Sequence, residues 1–403
     1  MARVLYITYD GLMEPLGMSQ VWQYLKVLSK NNTITIISFE KSADFLDKDR
    51  LSYLCNEIES YGVSWHRLKY HKTPSIMATA YDIVRAILLG VFIVKKSKIE
   101  IIHARSYVPA LVALVINKLL NIKFIFDMRG FWADEKVDGE AWSKNSLVYK
   151  ITKKLECGFL TNASSIVSLT NIGRNDVLSL DCMKNTRKKI VVIPTCVNLQ
   201  LFQQQHLKLP VHNNDIDHHF VLGYVGSVGT FYLFDEVLKS FRALLKVKKN
   251  SKLLIINKGQ HEYILNKISD MGISESHVEI KSVAYDKVAV EISRMDAGIF
   301  YIKPVFSKRS SSPTKFGEFL GCGKPCISNF GVGDTESVLE GENVGIVLKS
   351  FSESEHVEGI NRLLELIKDK NIQERCTQVA KAHFSLGLGV EKYNNIYKQL
   401  VDK

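Results

Sequence analysis

Short apolar runs alternate with helix-period stretches from one end of the 403-residue chain to the other. In the first half, Arg3–Thr8, Thr33–Phe39, Val63–Lys69, Ile99–His103, Lys123–Asp127, Ser165–Leu169 and Lys189–Ile193 read as strands. Helical segments such as Ser19–Lys30, Pro74–Lys96 and Tyr107–Asn121 lie between them. Most of these strands are apolar along their length rather than alternating. Both faces of such a sheet need cover, which helical crossovers between parallel strands supply. Each crossover is expected to be right-handed.

The rhythm breaks at 195–219, a polar stretch with Pro194 and Pro210 near its ends, and this reads as a linker. It resumes with strands at Phe220–Val225, Lys252–Asn257, Val278–Lys281, Ala297–Ile302, Pro325–Ser328 and Gly345–Leu348, again separated by helices. The expected architecture is α/β, with two Rossmann-like, doubly wound domains facing a cleft. They cover 1–194 and 220–384, and a C-terminal helix in 385–403 is expected to pack back on the first domain. Ligands of such sheets bind at the carboxyl ends of the strands.

Charge narrows the partners. The formal net charge is +11, which favours anions: phosphorylated small molecules, an acidic membrane face or nucleic acid. The lysines are scattered in short clusters with no zinc-finger or RNA-binding signature, so a nucleic-acid partner is not expected. Lys95–Lys98 and Lys150–Lys154 suggest contact with an anionic membrane surface. Seven irregularly spaced cysteines without a C-x-x-C pair read as reduced thiols. The first residues run directly into a strand, and the apolar stretches read as buried helices. A cytoplasmic protein, peripheral on the inner face of the plasma membrane, is therefore expected.

Three segments carry candidate chemistry. Tyr301–Ile327 reads YIKPVFSKRSSSPTKFGEFLGCGKPCI. Pro313 stands where a helix would begin, and Ser312 is placed to cap it. A helix start offers N–H groups and a positive dipole end to a phosphate, and Arg309, Ser310, Ser311, Thr314 and Lys315 add donors. Glu318, one turn further, is placed to accept both hydroxyls of a ribose. Near the N-terminus, YDGLMEPLGMSQ follows a strand, and its Gly11 and Gly17 suit a loop that closely approaches a ligand. Finally, Asp127 and Arg129 follow an apolar strand. Asp127 is placed to orient a hydroxyl and Arg129 to stabilise phosphate charge, unless the two form an internal pair that shapes the loop. His103 reads as a packed, hydrogen-bonded histidine.

The run S-P-T-K-F-G-E-F-L-G-C-G-K-P-C-I resembles the donor-binding segment of retaining family 4 glycosyltransferases of the GT-B fold. That segment has a Glu-x7-Glu pattern followed by small residues, C-G-x-P and a strand. Glu318 matches the second glutamate, which in the family holds the nucleotide ribose. Ser310 stands at the first, which in the family contacts the donor sugar. Ile101–Ser106, Ile193–Asn198 and Tyr224–Ser227 resemble further family segments in the same order. Gly226 and Ser227 open the second domain's first loop. Shortly after it, Ser227 and Tyr232 stand roughly where the family has an Arg and a Lys that bind diphosphate. Lys303, Lys308, Arg309 and Lys315 are the candidates to supply that charge.

The resemblance implies sugar transfer from a nucleotide sugar, UDP-sugar favoured over GDP-sugar, to a growing surface glycan or lipid-linked oligosaccharide. It implies retention of configuration, no cofactor and no metal. The alternatives are a nucleotide-sugar epimerase and a non-catalytic nucleotide-sugar-binding protein.

Overall fold

The computed structural model describes residues 1–206 and 219–402. The chain divides into two compact units, Met1–Pro194 with Leu386–Lys403, and Thr195–Ser385. Each is built on one sheet of parallel strands.

The first unit contains β1 (Arg3–Thr8), β2 (Thr33–Glu40), β3 (Ser64–Lys69), β4 (Ile101–Arg105), β5 (Lys123–Asp127), β6 (Ser165–Ser168) and β7 (Ile190–Val192), ordered β3-β2-β1-β4-β5-β6-β7. Strand β1 pairs with both β2 and β4, with Val4 opposite Ile34 on one side and Ile101 on the other. All but the first residue of β1 and of β2 are buried, as expected of central strands covered on both faces. Right-handed crossovers put the connections leaving β1 and β2 on one face, and those leaving β3, β4 and β5 on the other. The long helices among the latter are Ser75–Lys96, Tyr107–Leu120 and Leu147–Asn162, packed in that order, with the short helix Trp132–Asp138 against the last. Ser146 caps the last of them by accepting from the Tyr149 amide at 3.3 Å. The C-terminal helix Leu386–Val401 lies in this unit, against the helix Gln23–Leu28 and β4.

The second unit contains β8 (Val221–Val225), β9 (Lys252–Ile256), β10 (Val278–Lys281), β11 (Ala297–Ile299), β12 (Cys326–Asn329) and β13 (Gly345–Leu348), ordered β10-β9-β8-β11-β12-β13. Its helix Phe234–Val247 has Asp235 and Glu236 in its first turn and Lys246 in its last, matching the helix dipole at both ends.

The stretch 195–219 differs from the linker expected of it. Its first residues belong to the second unit. Val197 bridges to Ser385, and the helix Leu199–His206 buries Phe202 completely. Leu199 and Phe202, three residues apart, supply an apolar helix face that the polar average of the stretch concealed. Residues 207–218, with the Asp215-Ile216-Asp217 run, lie outside the described residues.

Candidate functional site

In each sheet the strand order reverses once, between β1 and β4 and between β8 and β11. The loops leaving two such neighbours diverge to opposite faces and open a crevice at the carboxyl ends, where doubly wound sheets bind ligands. The candidate residues fall on these two switch points and at the end of β5, the strand next to β4.

In the second unit, β8 ends at Val225 and runs into Gly226, whose φ of +118° suits glycine best. Asn257 at the end of β9 holds the turn by donating to the Gly226 carbonyl at 2.9 Å. The chain leaving β11 then supplies Lys308 and the helix Thr314–Gly321. Lys315 extends from that helix toward Gly226, and a Cβ built on Gly226 would lie 2.8 Å from the Lys315 ammonium. The ammonium lies 4.1 Å from the centre of the Tyr232 ring and 5.1 Å from that of Tyr224. Lys308 places its own ammonium 3.8 Å over the Phe231 ring. Two lysines from the β11 connection thus converge on 231–232, next to the Gly226 turn.

Lys315 is 7% exposed, and its ammonium has no hydrogen-bond partner among the described residues. Burial holds its pKa down to about 7, opposed only by Glu318. Glu318, three residues on along the same helix face, is also buried. Burial raises its carboxyl to about 7, and Lys315 pulls the other way. An ion pair in this position would lose water around both charges, and the two groups titrate near neutrality instead.

The remaining residues of this loop divide. Thr314 lies beside Lys315 at the start of the helix, Ser227 is exposed on the Gly226 turn, and Arg309 is exposed. Ser310 is buried and donates to the Ser307 carbonyl at 3.1 Å. Ser312 does not cap the helix. The N-cap is Pro313 with no side-chain cap, and the Ser312 hydroxyl instead accepts from the Thr195 amide at 3.2 Å. Thr195, distant in sequence, takes the side chain that the local pattern assigned to the cap, and the helix start keeps its amides clear of a capping oxygen.

In the first unit, Gly17 packs against its own loop. A Cβ there would stand 1.9 Å from the Gly11 carbonyl oxygen, so its smallness serves the loop's own closure. The loop is held by Glu40 at the end of β2, which accepts from the amides of Leu12 at 2.9 Å and Met13 at 3.2 Å. Across the switch point Arg105 on β4 donates to Asp10 after β1 at 3.3 Å. Ser106, at φ 69° and ψ −173°, holds a conformation otherwise nearly confined to glycine, and such strain gathers at functional positions.

Asp127 ends β5, and Arg129 follows in a left-handed turn at φ 59°. Their closest approach is 3.8 Å, between Arg129 Nη1 and Asp127 Oδ1. Asp127 is fully enclosed. Its Oδ2 accepts from the Tyr393 hydroxyl at 2.9 Å, and His103 Nε2 lies 3.5 Å away. Burial opposes ionisation here, but Arg129, His103 and Arg105 together outweigh it and hold the carboxyl at about 2. His103 is buried, as read from the sequence, with Nδ1 2.7 Å from the Tyr397 hydroxyl. Asp127 is thus a positioning group for the cations at this switch point rather than one facing solvent. Arg129 retains partial exposure.

No family model matches the sequence, and no curated protein is significantly similar to it. Solved structures are similar over the whole chain. A glycosyltransferase from Rickettsia africae ESF-5 aligns with TM-score 0.69 and 18% identity, covering 99% of this chain and 98% of its own. Anabaena HepE in complex with UDP and glucose aligns with TM-score 0.70 and 12% identity, covering 99% and 100%. The lipopolysaccharide outer core galactosyltransferase WaaB aligns with TM-score 0.65 and 14% identity, covering 98% and 99%. At these identities the likeness is one of fold: the chain is a two-domain, parallel-sheet α/β protein with the GT-B fold of these glycosyltransferases.

Proposed function

We propose that the protein is a glycosyltransferase that moves a sugar from a nucleotide donor, a UDP-sugar in preference to a GDP-sugar, onto a growing surface glycan or lipid-linked oligosaccharide. The observation that carries this reading is the buried, unpartnered Lys315 ammonium at the β8/β11 switch point, aimed at the Gly226 turn with Glu318 one turn along the same helix. In the proposed complex Lys315 and Lys308 neutralise the diphosphate, taking over for the cations missing at Ser227 and Tyr232. The start of the helix Thr314–Gly321 adds its dipole. Glu318 accepts from the ribose. Arg129 stabilises charge that develops on the leaving phosphate, held in place by Asp127. Configuration is retained, and neither metal nor cofactor is required. HepE, bound to UDP and glucose on the same fold, supports the choice of donor.

The test is mass spectrometry of products after presenting UDP-, GDP- and TDP-sugars with lipid-linked acceptors. An acceptor heavier by one sugar, formed with release of the nucleoside diphosphate in the presence of a chelator, is expected. Isomerised donor formed without any acceptor would instead identify an epimerase, and binding without turnover a sensor.

Glu318→Ala is expected to weaken UDP binding about 2- to 13-fold without unfolding the protein. A carboxyl near its midpoint at neutral pH contributes like a neutral hydrogen bond, about 0.5–1.5 kcal/mol. Titration calorimetry with UDP checks it, and unchanged affinity removes Glu318 from the site.

A further inference from the structure

The helix Ser75–Lys96 presents its apolar side outward. Met77 is 72% exposed, Leu88 68% and Phe92 57%, with Tyr81 and Val84 completing the row. At spacings of four, three, four and four these five side chains form one stripe, about 22 Å long at 1.5 Å per residue. The inward face contains Ala78, Ala86 and Gly90, the last set against Ile116 and Leu5, followed by Ile93 and Val94. By length and composition this helix is apolar enough to cross a membrane. It is nonetheless anchored, because buried Asp82 accepts from the Tyr9 hydroxyl at 3.0 Å and the His71 amide at 3.1 Å. The stripe is a surface.

Charge identifies what covers it. The three long helices on this face of the sheet, Ser75–Lys96, Tyr107–Leu120 and Leu147–Asn162, contain only two acids, Asp82 and Glu156, and both are fully buried. Their exposed charges are Lys95, Lys96, Lys118, Lys150 and Lys154, all basic. Lys96 lies 5.5 Å over Phe92 and Arg85 lies 5.6 Å over Tyr81, so cations edge the stripe itself. Leu119 is exposed on the adjoining helix. A second copy of this chain across a two-fold axis would bring the same patch onto itself, lysine toward lysine with no exposed acid on these three helices to answer. An apolar row rimmed by cations fits an anionic lipid surface, where apolar side chains enter the headgroup boundary and each cation finds a phosphate.

We propose that this face, centred on Met77, Tyr81, Val84, Leu88 and Phe92, docks the protein onto anionic bilayers, with the 75–96 helix lying along the membrane plane. This surface is separate from the candidate donor residues, none of which lies on the 75–96 helix.

Flotation of the full chain tests it, with vesicles of phosphatidylcholine alone and of phosphatidylcholine mixed with phosphatidylglycerol. Recovery is expected with the mixed vesicles only, declining as salt rises. Leu88→Glu/Phe92→Glu is expected to lower partitioning about tenfold or more. Lys95→Glu/Lys96→Glu is expected to lower it roughly fivefold per lysine, and this second variant leaves the apolar row intact. All four positions are exposed, so melting curves should match the parent. Equal recovery on both vesicle types overturns the proposal, as does undiminished binding by both variants. So does a concentration-dependent dimer that Leu88→Glu/Phe92→Glu dissociates, which would assign the face to self-association.

Discussion

Arg129→Ala is expected to lower the rate of sugar transfer by about 10²–10³ while leaving UDP affinity within a few-fold of the parent. Fixed charge aimed at a group that becomes more negative in the transition state acts mainly there, and removing one such donor costs about this much. The left-handed turn after β5 and the Asp127 carboxylate, 3.8 Å away, place the guanidinium at the carboxyl end of β5, beside β4. Asp127→Ala should behave differently. The carboxylate is enclosed with Tyr393 and His103 and lies 3.8 Å from Arg129, so its loss leaves the Tyr393 hydroxyl without its acceptor and the largely buried Arg129 without its counter-charge. An unfolding penalty of about 3–5 kcal/mol is expected, with activity lost through folding. Turnover and denaturant unfolding measured on both variants separate the two roles. Full turnover with a lowered melting temperature for Arg129→Ala would make Arg129 a loop-shaping residue only.

Lys315→Met is expected to weaken UDP binding about 10- to 150-fold, the contribution of a charged hydrogen bond, while uridine affinity changes little. The same substitution should raise the melting temperature of the ligand-free protein at neutral pH. Lys315 has a folded pKa of about 7, below its unfolded value of 10.5. The unfolded chain therefore binds more protons between these pH values, so this group destabilises the fold fully below about pH 7 and progressively less up to 10.5. A methionine removes that cost. Binding has a matching pH dependence. A diphosphate favours the protonated amine, so affinity should fall as pH rises above about 7, approaching tenfold per unit. Calorimetry in buffers of different ionisation enthalpy should register proton uptake above pH 7, absent in Lys315→Met. Equal losses for UDP and uridine would show that Lys315 acts elsewhere.

Glycine shows how far local reading reaches. Gly226 and Gly17 are both small residues after a strand, and both suited a loop near a ligand. Gly226 gives its space to the Lys315 ammonium, a candidate ligand group, whereas Gly17 gives its space to the Gly11 carbonyl. Ser312 makes the same point, since the capping pattern around Pro313 is sound locally but Thr195 competes for the hydroxyl and wins.

The sequence by itself determined the two parallel sheets, because uniformly apolar strands separated by amphipathic helices have few other ways to bury both faces. It also determined that Lys315 and Glu318 share a helix face, because a spacing of three is fixed by the helical repeat. What only the tertiary structure decided are the meetings between distant segments. Tyr393 reaches Asp127 across 266 residues and Tyr397 reaches His103 across 294, and Lys315 comes to rest beside Gly226 and Tyr232. The Tyr-x3-Tyr spacing on the last helix was visible, but nothing local names its partners. Burial, which moves Lys315 and Glu318 toward neutrality and exposes the stripe on the 75–96 helix, belongs to the packed fold alone. It depends on which surfaces the rest of the chain covers, and no window of sequence contains that information.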